Sequence, residues 1–197
     1  MAAVYQKKIR QPRQKRLPHA IGDTDVRHLL GCVRNPVHKS CLSLMYACGL
    51  RIHEAAALDI PAIDGTRGTL RIIGKGNKER HVPLPLPVLE ELRILWKGHR
   101  HPHWLFPNKT RSNHINKSVL ARTFSAAARE AGLRPKPTPH TLRHSYATRL
   151  LENGVDTRVV QILLGHASIK STAIYTHLTE PTRERLRGIL DILMAGL

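Results

Sequence analysis

His140-Thr141-Leu142-Arg143 sets an imidazole and a guanidinium three residues apart. Positions i and i+3 of a helix share a face, so the two side chains can converge on one small anion. Further on, Leu164-Gly165-His166 and Ile174-Tyr175-Thr176-His177 place another imidazole nine residues before a phenol. A tyrosine hydroxyl is a poor nucleophile near neutral pH because its reference pKa is about 10, and cationic neighbours lower the cost of forming phenolate. Two more cations precede these groups: Arg51, directly after the Gly49 helix stop, and Lys75 within Gly74-Lys75-Gly76-Asn77-Lys78. Taken singly, each fragment has a plainer use. An exposed His and Arg at a helix start, or a tyrosine with its ring in the core and its hydroxyl in water, is the commoner case.

The elements that must position these groups are mostly helical. Asn35-Pro36 reads as an N-cap followed by proline at the first helical position. Val37, Cys41, Leu44, Met45 and Cys48 then recur on one face, and Gly49 supplies the stop. A short helical run, Arg51 to Leu58, starts straight after it and puts Arg51 at an elbow between helices. Asp64-Gly65 signals a turn, Thr69 to Ile73 and Arg80 to Leu84 read as strands, and the segment between those strands makes a hairpin with a basic tip. Helices follow over Pro87 to Trp96 (stopped by Gly98), from Asn116 or Ser118 to Glu130 (stopped by Gly132), from Thr138-Pro139 to Leu151, and from Asp156 to Leu164. Ser168 opens a short helix containing Tyr175, and an amphipathic helix from Thr182 closes the chain with Leu186, Ile189, Leu190 and Leu193 at helical spacing. The fold class expected is mainly α with a small antiparallel β-sheet. The expected organisation is a basic tail over 1–16, one domain over 17–181 and a C-terminal helix over 182–197.

Charge points to a polyanionic partner. The 197 residues carry 32 Lys and Arg against 14 Asp and Glu, a formal charge of +18 at pH 7. Lys7, Lys8, Arg10, Arg13, Lys15 and Arg16 precede the first acidic residue, and the remaining basic excess is spread along the chain. With 41% hydrophobic residues, wholesale disorder is excluded. Aromatic residues make up only 4% and are scattered, so a stacking platform for single strands is poorly supported and contact with the backbone of double-stranded DNA is favoured. Charge is also all that favours an RNA-associated protein. No apolar run reaches the roughly 18 residues of a membrane span, and the basic start lacks a secretory signal's apolar stretch, so a cytoplasmic, nucleoid-associated protein is expected. Cys32, Cys41 and Cys48 form no C-x-x-C pair, which suggests neither a disulfide framework nor a zinc ribbon, and Cys41 and Cys48 read as core thiols. His99, His101 and His103 alternate, but Arg100 and Pro102 between them suit a solvent-facing basic loop better than a metal site.

Arg51 in Ala47-Cys-Gly-Leu-Arg-Ile-His-Glu54, Lys75 in the hairpin, His140-Thr-Leu-Arg143, Leu164-Gly-His166 and Tyr175-Thr-His177 resemble, in this order, the catalytic set of the tyrosine recombinases, the phage-integrase and Xer-type family. The likeness runs from about Leu17 to Leu193. It implies site-specific recombination of duplex DNA through a 3′-phosphotyrosyl intermediate on Tyr175, leaving a free 5′ hydroxyl. The bond energy is kept in that ester, so rejoining needs no ATP, metal or other cofactor. The chemistry agrees with the residue types. Arg51 and Arg143 can each donate paired hydrogen bonds to the oxygens of a crowded phosphorus, His166 can donate to another, His140 can share the phenol's proton, and Lys75 can act as general acid on the leaving oxygen.

The resemblance also sets expectations beyond the site. Relatives usually carry a helical core-binding domain ahead of this one. Two readings stand: a single-domain recombinase similar in size to the fimbrial inversion recombinases, or the catalytic portion of a longer protein. A C-terminal helix that docks into a neighbouring protomer would couple the active sites of a homotetramer on DNA. The alternatives are a type IB topoisomerase-like relaxation of supercoils by a similar residue set, and a non-catalytic DNA-binding regulator of the same fold.

Overall fold

The computed structural model describes residues 20–74, 77, 79–165 and 180–195. In order they form α1 (Asp23–Gly31), α2 (Pro36–Ala47), α3 (Ile52–Ala56), a 3-10 turn (Ile60–Ala62), β1 (Ile63–Asp64), β2 (Thr69–Ile73), β3 (Glu79–Pro83), α4 (Leu86–His99), α5 (Lys117–Glu130), α6 (Pro139–Glu152), α7 (Thr157–Leu163) and α8 (Glu180–Met194). The mainly helical class with one small antiparallel sheet is as expected. The sheet order is β1-β2-β3, one strand more than the hairpin the sequence shows.

Helix α2 is the central element. Its Asn35 cap accepts the His38 N–H at 3.1 Å, and Pro36 occupies a first-turn position where a missing N–H costs nothing. Every residue from Ser40 to Ala47 is buried, with α3, α4, α5 and α6 packed around it. Gly49 ends it at φ +61°, and a Cβ there would lie 2.5 Å from Tyr146 Cδ1. Glycine therefore meets both the conformation and the space, and it turns the chain so that Arg51 opens α3. Cys41 and Cys48 are buried core thiols, as expected, and burial pushes both thiol pKa values up.

Local capping chemistry accounts for several other boundaries. Asn116 accepts from Ser118 N–H at 2.8 Å at the start of α5, and Asp156 accepts from Arg158 N–H at 2.7 Å at the start of α7. Gly132 and Gly154 take positive φ after α5 and α6. The hairpin pairs Leu70 with Val82 and Ile72 with Arg80, and all four of these side chains are on the buried face.

Other boundaries differ from the sequence reading. Helix α1, which that reading did not assign, buries Val26, Leu29 and Leu30, and Tyr46 Oη donates to Asp23 in its first turn at 2.5 Å. Helix α4 runs through Gly98 and ends where Arg100 takes the left-handed conformation at φ 45°. Leu89 and Leu92 of its predicted stripe are buried, but Trp96 is 38% exposed. Helix α8 begins at Glu180 rather than Thr182. Its Leu186, Leu190 and Met194 are buried against its own chain, and Asp191 accepts the Leu86 N–H at 2.9 Å. Among the described residues, no helix is long and apolar enough to cross a membrane.

Candidate active site

Three of the six sequence-predicted site residues, Arg51, His140 and Arg143, lie among the described residues; Lys75, His166 and Tyr175, with the helix expected from Ser168, lie outside them. Helix α6 carries the imidazole–guanidinium pair within its first five residues. Pro139 starts the helix, Thr138 N–H donates to Thr141 Oγ1 at 3.0 Å, and Leu142, Tyr146 and Leu150 bury the face on whose flank Arg143 lies. That packing fixes Arg143 in the interior, 4% exposed, while His140 stays at the surface.

Arg143 ties two distant segments together. Its Nη1 donates to Gly49 O at 2.7 Å, and its Nη2 donates to Leu164 O. One side chain thus joins the elbow carrying Arg51 to the turn immediately before His166. Burial, reinforced by Arg51 and Arg80, pushes the Arg143 guanidinium down to about 10, which still leaves it fully charged near neutral pH. His140 is lowered from the usual imidazole value by partial burial and by His144, Arg143 and Arg51, so it is mainly neutral at pH 7 and able to accept a proton. The His140 and His144 rings meet edge to face, their centroids 4.5 Å apart.

Two charged residues that the sequence does not single out, Glu54 and Arg80, join Arg51 in one buried cluster. Glu54, 6% exposed, accepts from Arg51 N–H at 2.8 Å, Arg51 Nη1 at 2.9 Å, Arg80 Nη1 at 2.9 Å and Arg80 Nη2 at 2.8 Å. Burial would raise its pKa, but the two arginines outweigh that and hold it near 2. Arg80 Nε also donates to Leu163 O at 3.0 Å. The i, i+3 spacing of Arg51 and Glu54 was a usable signal for the first contact. The inward face of β3 was the signal for Arg80, because Arg80 alternates with buried Val82.

Two guanidiniums, those of Arg51 and Arg80, therefore bond the Glu54 carboxylate, and the Arg143 guanidinium adds a third positive charge nearby. Glu54 neutralises one of them, and the local surplus of positive charge and N–H donors suits a phosphate group. In the histidine-rich loop Arg100, Pro102 and His103 are exposed, as expected of a solvent-facing segment, but His101 is turned inward. His101 is 8% exposed, its Nδ1 accepts the His103 and Trp104 N–H groups, and its Nε2 is 3.0 Å from Arg111 O. His99 accepts the His101 N–H at Nδ1 and places Nε2 3.1 Å from Leu105 O. These rings brace the loop from within.

A sequence model of the Phage integrase family matches residues 22–181. The chain belongs to the phage integrase family. This family member is similar to tyrosine recombinase XerD of Shewanella oneidensis, 37% identical over 191 residues that cover 90% of this chain and 63% of the relative. Among solved structures it is similar to an integrase from mycobacterium phage Brujita, with a TM-score of 0.76 and 33% identity over 96% of this chain and 66% of that one. It is also similar to the XerH site-specific recombinase bound to difH substrate in a pre-cleavage complex, with a TM-score of 0.68 and 27% identity over 92% of this chain and 57% of that one. Its fold is that of a tyrosine recombinase catalytic domain. The chain spans between 53% and 65% of the length of the first curated relatives it matches.

Proposed function

We propose that this integrase-family chain is a site-specific DNA strand transferase that cleaves and rejoins duplex DNA through Tyr175. Support comes from Arg143, buried between Gly49 O and Leu164 O, because it locks the Arg51 elbow to the turn that leads into His166 and then Tyr175. Arg51 and Arg143 stabilise the charge that builds on the scissile phosphate's non-bridging oxygens, and His166 donates to a further one. The Tyr175 oxygen attacks phosphorus, its proton passes to neutral His140, and the P–O5′ bond breaks as Lys75 protonates the departing 5′ oxygen. The product is a 3′-phosphotyrosyl ester, reversed by attack of a 5′ hydroxyl, so the cycle needs neither metal nor ATP.

The partner is double-stranded DNA, held through the basic surface and the tail over 1–16, with a homotetramer as the recombining assembly. Helix α8 is docked on its own chain through Leu186, Leu190 and Met194. In the tetramer the same apolar stripe would dock in trans on a neighbouring protomer and couple the active sites. The domain division proposed is a basic tail over 1–16, a catalytic domain over 17–181 and this exchanging helix over 182–197.

A nicked suicide duplex carrying a candidate site tests the reading. A covalent protein–DNA band on a denaturing gel, lost in Tyr175→Phe, supports strand cleavage, and joined recombinant product separates recombination from topoisomerase-like relaxation. Specific binding without an adduct on any duplex would favour the regulator instead.

A further inference from the structure

We propose that Arg80 is a positioning residue that aligns three separately encoded parts of the strand-transfer site and keeps the Arg51 charge available to phosphate; this rests on the strand-transfer reading above. Arg80 lies on the buried face of β3, opposite Ile72, with its side chain 8% exposed. A guanidinium on the core face of a sheet is costly unless its donors are satisfied. Here each of its three nitrogens has a partner: Nη1 and Nη2 form a fork on Glu54, and Nε holds Leu163 O.

Each contact reaches a different part of the site. Through Glu54, Arg80 reaches Arg51, whose backbone N–H and Nη1 share the same carboxylate. Through Leu163 O it holds the end of α7, next to the Leu164 carbonyl that Arg143 holds. Its Cδ would lie 3.0 Å from a Cβ built on Gly165, at φ +64°, so the turn before His166 is moulded around the Arg80 stem. By chain connection, β3 follows the hairpin segment that bears Lys75.

The electrostatic role follows from the unequal exposure of the three groups. The Glu54 side chain is 0% exposed, that of Arg80 8% and that of Arg51 35%. Arg80 is the deeper partner on Glu54, so two arginines and one carboxylate keep a net positive charge, and Arg51, bonded to Glu54 through Nη1, presents it at the rim. Without Arg80, Glu54 would draw Arg51 inward as its sole cationic partner and compete with the scissile phosphate for it.

The test compares wild-type, Arg80→Met and Arg80→Lys chains in single-turnover cleavage of the suicide duplex at saturating DNA, each well below its own unfolding midpoint. Arg80→Met is expected to lower the maximal cleavage rate about 10²-fold, the scale set by small displacements of reacting groups, while Kd for the duplex changes less than about threefold. Arg80→Lys restores a balancing charge without the fork, so at least about tenfold of that loss should return. A wild-type maximal rate in folded Arg80→Met, or a fall matched by an equal loss of affinity, would overturn the proposal. Amide hydrogen exchange provides a readout that needs no catalysis. The variants should exchange about tenfold faster at residues 49–52 and 163–165 and at the wild-type rate in α1 and α5. Unchanged exchange at those two segments would overturn the proposal as well. If wild-type chain forms no adduct, the strand-transfer reading fails by itself, and the exchange measurement still decides whether Arg80 aligns the two segments.

Discussion

The loop over 99–115 and the cluster around Glu54 are built from similar cationic and imidazole groups, yet their donor balance is opposite. In the loop, both ring nitrogens of His99 and of His101 are used on backbone groups of the same loop. Around Glu54, two guanidiniums share one carboxylate, and nearby Arg143 uses two of its five N–H donors on Gly49 O and Leu164 O. A closed hydrogen-bond inventory makes a brace, and a surplus of fixed donors makes a place for an anion. Residue type alone does not separate the two; the accounting of donors and acceptors does.

The sharpest break between the regions should come from Arg143→Ala. Removing a transition-state donor typically costs 10²–10³-fold, so single-turnover cleavage at saturating DNA should fall by about that factor. The melting temperature should fall as well, since Gly49 O and Leu164 O lose their donor. Arg143→Lys should not restore the rate, because an ammonium cannot span both carbonyls and still face a phosphate. A second contrast lies in pH. Glu54 is held near 2 in the folded chain against an ordinary carboxyl value of 4.5, so its contribution to stability is full above about 4.5 and is lost as pH falls toward 2. Denaturant titrations across that window should show the loss, and Glu54→Gln should flatten it and lower stability at pH 7.

Smaller effects sharpen the other side of the comparison. His101→Asn leaves loop N–H groups unpaired and should cost about 1–3 kcal/mol in denaturant unfolding, with the cleavage rate per folded molecule unchanged. A rate loss exceeding the loss of folded protein would place the loop in the active site. The smallest effect is expected for Arg34→Ala, which breaks an exposed 2.9 Å pair with Glu130; its change in unfolding free energy should be under about 0.5 kcal/mol.

Much of this was legible in the chain because it is local. Asn35, Asn116 and Asp156 cap the helices that follow them through contacts spanning two or three residues, and Gly49 marks a stop that a side chain could not occupy. What depended on partners was harder to see. The two-residue β1 exists only through its pairing with β2, and Gly98 lies inside α4 because Arg100 takes the left-handed turn instead. Helix α1 has only Val26, Leu29 and Leu30 to mark its buried face, although the two aspartates in its first turn were a signal. In the site, Arg51, His140 and Arg143 could be selected by type and order. The fork from Arg80 to Glu54 could not, since it joins residues 26 apart on a strand and a helix and appears only when the hairpin packs against α3.

In the proposed reaction the cationic cluster serves a phosphoryl transfer to one phenol, that of Tyr175. The most direct test is mass spectrometry of the trapped adduct after protease and nuclease digestion. The account predicts a nucleotide joined through its 3′ phosphate to the peptide containing Tyr175, with a free 5′ hydroxyl on the released strand. A linkage through a 5′ phosphate, or attachment to any other residue, would contradict it.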